Sequence, residues 1–65
     1  MTLETRRNAV CALVLDGLPD RAIAAAMGVE FRTVRDDVRA LRRRFEASNR
    51  GELARLLGAL LRAEA

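Results

Sequence analysis

Apolar residues recur along this chain at the spacing of an α-helix, in four separate blocks. In the first block Val10, Leu13 and Val14 fall on one face, which predicts a helix from about Thr5 to Asp16. Gly17 follows where a left-handed residue stops a helix, and Leu18 can fold back onto the last turn. Pro19 and Asp20 open the second block, Pro by its fixed φ and Asp by capping. This block predicts a short helix from Asp20 to Met27, ended by Gly28, with Ile23 and Met27 pointing inward. Three alanines, Ala24 to Ala26, let a neighbouring helix approach closely.

The third block predicts a helix from about Phe31 to Phe45. At about 100° per residue, Val34, Val38, Leu41 and Phe45 share a narrow arc. Arg32, Asp36, Arg39 and Arg43 occupy the opposite arc, with Arg35 and Arg42 on its flank. In the fourth block, Leu53, Leu56, Leu57, Leu60 and Leu61 follow an i, i+3, i+4, i+7, i+8 pattern, predicting a helix from about Gly51 to Arg62. Ala54 and Gly58 widen its apolar face. The expected fold is all-α, with four helices and no strand. One core should combine Leu3, Val10, Leu13, Leu18, Ile23, Met27, Val34, Val38, Leu41 and Phe45 with part of the fourth helix.

A short helix, a glycine turn and a second helix with one apolar and one basic face form the layout of a helix-turn-helix, here residues 20–45. The second helix of that motif enters the DNA major groove. Charge is distributed to match. Residues 21–50 hold eight arginines against four acids, a net of +4, whereas residues 1–20 come to −1 and residues 51–65 cancel. A local basic stripe is the electrostatic footprint of phosphate binding; without the motif it would read as an ordinary solvated face.

At 65 residues the chain is one small domain, short of buried surface unless a staple or a partner helps. One cysteine and no histidine argue against an intrachain disulfide and against a zinc site. The missing staple points to oligomerisation. The broad apolar face of residues 51–62 is more than three short helices can cover. Its leucines divide between core and a subunit interface, with Ala54, Leu57, Gly58 and Leu61 expected near a two-fold axis. Gly58 costs helix stability, and close approach of a partner helix or fraying near the chain end accounts for it.

Without Trp or Tyr there is no aromatic platform for stacking single-stranded bases. No membrane-spanning stretch or signal peptide is visible, so the expected location is cytoplasmic, at the nucleoid. All twelve basic residues are Arg, which together with the alanine content suggests a GC-rich bacterial source. An enzyme and a cofactor are not expected: there is no histidine, metal cluster, glycine-rich phosphate loop or paired carboxylates in an evident cleft. Cys11, with no histidine to activate it, is expected to be a buried, inert thiol.

The chain resembles the DNA-binding domain of LuxR/FixJ/GerE-type regulators. That family's pattern runs L-T-x-R-E, V-L-x-L, G-L-S-N-K-E-I-A, L-x-I-S-x-x-T-V-K-x-H, K-L and N-R-x-E-L. This sequence supplies Leu3, Arg6, Val10, Leu13, Gly17, Leu18, Ile23, Ala24, Met27, Val29, Thr33, Val34, Arg35, Arg44, Phe45, Asn49, Arg50, Glu52 and Leu53, ungapped and in register. It departs at Arg7, Pro19, Ala22, Glu30 and Asp37, where the family has Glu, Ser, Glu, Ser and His. Asp36 and Asp37 bring negative charge to a face expected to meet phosphates.

The resemblance implies a four-helix LuxR/GerE-like helix-turn-helix domain that binds double-stranded DNA. It implies base contacts by Arg35, Asp36 and Arg39, where Arg suits guanine O6 and N7 and Asp suits cytosine N4. For Asp36, pairing with Arg32 or Arg39 on the helix surface is the alternative. Phosphate contacts are implied for Arg21, Arg32, Thr33, Arg42, Arg43, Asn49 and Arg50, with a backbone-bonding role as the alternative for Thr33. Two other readings stay open. One is a region-4-like segment of a sigma factor. The other is a degenerate helix-turn-helix adaptor that binds RNA polymerase or another regulator instead of DNA.

Overall fold

The computed structural model describes residues 1–64. It contains α1 (Leu3–Leu15), α2 (Asp20–Met27), α3 (Phe31–Arg44) and α4 (Arg50–Glu64), with no strand among the described residues. α1 starts two residues earlier than its apolar spacing implies because Thr2 caps it. The Thr2 hydroxyl accepts from the Thr5 amide at 3.1 Å and so satisfies a free donor of the first turn. α4 is capped by Asn49, whose side-chain oxygen accepts from the Glu52 amide at 2.8 Å. The Glu52 carboxylate in turn accepts from the Ser48 amide at 2.9 Å, a variant of the reciprocal capping box.

Three helices stop by the same hydrogen-bond device. After α1 the Gly17 amide donates to the Val14 carbonyl and Leu18 to Leu13. After α2 the bonds run Gly28 to Ala25 and Val29 to Ala24, and after α3 Glu46 to Arg43 and Ala47 to Arg42. Each is a Schellman closure, which requires a left-handed residue just past the helix. Gly17 and Gly28 adopt φ of 84° and 68° without steric cost. At the third stop the residue is Glu46, with φ 53°, where an L side chain meets the following carbonyl. No glycine marks this turn, so the hydrophobic pattern alone locates the end of α3.

The core combines Val10 and Val14 of α1, Ile23 and Ala24 of α2, Val34, Val38 and Leu41 of α3, Ala47, and Leu53 and Leu57 of α4. Leu13, Leu18, Met27 and Phe45 pack against it, half-buried. α2 packs chiefly on α3 and α1 chiefly on α4, so the helix-turn-helix and the α1–α4 pair form two halves sharing one core. Leu3 corrects the expected core: it is the first residue of α1 and is 50% exposed.

α4 divides along its length. Leu53 and Leu57 are buried, whereas Leu60 and Leu61 are exposed. Leu57 therefore belongs to the core and has little surface to offer a partner, contrary to the expected interface. Gly58 faces α1: a Cβ built there would lie 3.7 Å from a methyl carbon of Leu15. That is an ordinary contact, so the approach of α1 does not require glycine here; the tighter neighbour of such a Cβ is the Arg62 guanidinium of α4 itself, at 3.3 Å.

Candidate nucleic-acid interface

The outer arc of α3 carries the candidate site. Arg32, Arg35, Asp36, Arg39 and Arg43 are all exposed, while Val34, Val38 and Leu41 hold the opposite face in the core. This division follows from the 3.6-residue period, which places i, i+4 and i+7 positions on one stripe. Asp36 lies 3.9 Å from Arg35, not against Arg32 or Arg39. Both side chains are about half exposed, so the pairing is weak, and neither is withdrawn from solvent.

Arg21, near the start of α2, joins this surface. Its guanidinium carbon sits 4.7 Å from the centroid of the Phe31 ring, a cation–π contact tying α2 to the first residue of α3. Phe31 has no role in the apolar spacing beyond opening α3. The signal was available as an aromatic at the edge of the apolar arc, in the first turn of an arginine-faced helix.

Asp37 occupies a different place from its neighbour. Expected on the phosphate-facing side, it is 1% exposed. Its carboxylate takes a bidentate pair from Arg6 of α1, Nε to Oδ2 at 2.6 Å and Nη2 to Oδ1 at 2.7 Å. Arg7 adds a longer contact at 3.4 Å. The Arg6 hydrogen bonds hold the Asp37 carboxyl below its ordinary value of 3.8; burial opposes them, and the Arg7 charge assists. The reciprocal bond raises Arg6. At neutral pH this is a charged fork–fork pair that fixes α3 against α1. Position 37 lies on the flank of α3 that turns towards α1, about 70° from the centre of the apolar arc at 100° per residue. The two adjacent acids of α3 thus have separate roles, one internal and one external.

Three of the expected phosphate contacts are engaged internally. Arg50 donates to the Asp20 carboxylate and to the Leu18 carbonyl, tying the start of α4 to the α1–α2 turn. Asp20 consequently serves as Arg50's partner; the residue preceding α2 is Pro19, which makes no side-chain cap. Asn49 caps α4, as described. Arg42 reaches from α3 to the Ser48 carbonyl, half-buried. With Arg39, Arg43, Glu46 and Ala47 it lines a shallow hollow of about 320 Å³ beside the basic arc. Thr33 is half-buried in the first turn of α3, its amide bonded to the Glu30 carbonyl at 3.1 Å.

On another part of the surface, a groove of about 580 Å³ runs between α1 and the second half of α4. Leu15, Phe45, Leu57, Leu60 and Leu61 line it, with Leu3 and Glu4 at the α1 end. Cys11 also lines it, half-buried instead of buried, and desolvation raises its thiol, with Arg44 opposing. The thiolate needed for nucleophilic chemistry is therefore disfavoured. Among the described residues no group of three or more His, Cys, Asp or Glu side chains is placed to hold a metal ion, and no helix is long and apolar enough to cross a membrane.

A comparison with protein-family models matched no family, and comparisons with curated proteins and with solved structures found no match either.

Proposed function

We propose that this chain is a sequence-specific binder of double-stranded DNA that regulates transcription, with a LuxR/GerE-like helix-turn-helix architecture, working at the nucleoid in the cytoplasm. One observation carries the reading. Five arginines, Arg21, Arg32, Arg35, Arg39 and Arg43, are exposed on and beside the outer arc of α3, where they outnumber the exposed acids Glu30, Asp36 and Glu46. Asp37 is used by Arg6, and Asp20 by Arg50. A helix packed on one face and cationic on the other suits insertion into a groove walled by phosphates.

In this reading Arg35 and Arg39 contact base edges and Asp36 is available to a cytosine amino group. Arg21, Arg32 and Arg43 reach phosphates, which position the domain without reading sequence. Arg42, Asn49 and Arg50 act through the fold, by holding the turns around α3. The adaptor alternative rested on two acids in α3; with Asp37 internal, only Asp36 still favours it.

The proposal includes a homodimer, with its interface moved along α4. Leu60 and Leu61 protrude beside the groove lined by Leu15 and Phe45. A patch holding both a protrusion and a hollow can match a copy of itself about a two-fold axis, as an isologous interface requires. Ala54, half-buried, lies at its margin. Two copies on DNA would then meet half-sites about one helical turn apart.

The test is duplex affinity as a function of salt, measured by fluorescence anisotropy on random and on selected sequences. With three or four arginines on phosphates per chain, log affinity should fall against log salt with a slope of about −3 per chain. A slope near zero, or no binding to any duplex, would reject DNA as the partner.

A further inference from the structure

From Phe31 and Arg21 we infer a thymine-reading contact that rests on the DNA reading above and extends it to base identity: Phe31, stacked on Arg21, meets the 5-methyl group of a thymine in the major groove. Phe31 is the first residue of α3 and remains 37% exposed, although phenylalanine is among the residues most often taken into a core. The ring stands at the edge of the apolar arc, about 20° beyond Val38 at 100° per residue, and does not join the side chains packed in the core. At 100° per residue Phe31 and Arg35 are one turn apart and within about 40° of each other on the helix surface. An apolar ring is thus carried next to a side chain expected at base edges, at the end of α3 that a helix-turn-helix presents first to the bases.

The ring also has a partner. Arg21 lies over it at 4.7 Å from the centroid, a contact that is modest at an exposed site and biases the ring towards this rotamer. The contact leaves the guanidinium beside the ring, and its outward N–H groups can reach the phosphate flanking the base that the ring touches. The thymine methyl is the one apolar feature that the major groove displays on any base pair, and phenylalanine is among the side chains that contact it. An amino or carbonyl edge would gain nothing from the ring. Arg35, one turn along, suits a guanine on the neighbouring pair, so the two residues together would favour a thymine beside a guanine.

The experiment uses the whole chain and a duplex obtained by selection from a random pool. Each thymine of the bound site is replaced in turn by uracil, which removes only the methyl group. One replacement should weaken wild-type binding by about fourfold, the value of burying one methyl-sized group. Phe31→Ala should bind the thymine and uracil duplexes equally, close to the wild-type affinity for uracil. Phe31→Leu, which keeps an apolar contact but gives up the stacked cation, should retain part of the preference. Circular dichroism establishes that both variants stay helical. If no uracil replacement matters to the wild type, or if Phe31→Ala weakens both duplexes alike, the ring is only a support for Arg21 and the inference is wrong. If the chain selects no site and shows no salt-dependent duplex binding, the DNA reading itself fails.

Discussion

Leu53 and Leu61 lie eight residues apart on the same apolar stripe of α4, yet the structure assigns them opposite consequences. Leu53 is 0% exposed and Leu61 is 60% exposed. Leu53→Ala removes three carbons from the centre of the core, a transfer loss of about 2.4 kcal/mol at about 0.8 kcal/mol per methylene. Incomplete collapse of the resulting cavity raises the cost to about 3–4 kcal/mol. A chain of this length has a total stability of about 3–10 kcal/mol. The substitution should therefore lower the melting temperature by roughly 12–30 °C, or unfold the domain outright. Leu61→Ala takes away surface already in water and should change stability by no more than about 0.5 kcal/mol in dilute solution. Urea and thermal denaturation followed by helical circular dichroism measure both. A dimer through the second half of α4 adds a signature, since the effect of Leu61→Ala would then grow with protein concentration. Equal losses for the two variants at low concentration would refute the division of α4 into core and surface halves.

Glu46→Gly should stabilise the domain by about 0.5–1 kcal/mol, because glycine relieves the left-handed backbone at the third helix stop but gives back part of the gain as unfolded-state entropy. It also removes an acid from the hollow beside Arg39, Arg42 and Arg43, so random-duplex affinity should rise alongside stability. Stability should depend on acid through Asp37. Its carboxyl titrates lower when folded than its ordinary value of 3.8, so its contribution is present above that pH and is lost as pH falls through the folded value. Asp37→Asn should be less stable at neutral pH and show a shallower loss as pH falls below about 4, read from denaturation midpoints. Leu61→Glu should separate subunits while leaving each helical, which sedimentation velocity of the free protein and its duplex complex would detect; unchanged dimers would remove α4 from the interface.

Much of the fold was legible because it depends on local rules. Gly17 and Gly28 mark two helix stops by a conformation that few other residues accept, and the period of Val34, Val38 and Leu41 fixes which face of α3 is buried. The parts that escaped the sequence are those set by partners distant along the chain. Asp36 and Asp37 look alike in a string of charges, yet one residue's rotation turns Asp37 towards Arg6, 31 positions away. Arg50 and Asn49 stand where phosphate contacts are implied, but the first finds Asp20 and the second caps α4. Leu57 and Leu61 share a stripe, and only the reach of α1 decides where the core ends. Glu46 carries no left-handed signature at all.

The central claim is that the outer arc of α3 reads and holds duplex DNA, and its arginines separate the two tasks. Affinity of Arg35→Ala and Arg43→Ala should be measured against wild type on a selected and a random duplex across a range of salt. The account predicts that Arg35→Ala loses about 1–3 kcal/mol on the selected duplex and far less on the random one. Arg43→Ala should lose similarly on both, with the salt slope reduced by about one. Identical behaviour of the two variants on both duplexes would contradict base readout by this helix, and unchanged affinity in both would contradict DNA binding through it.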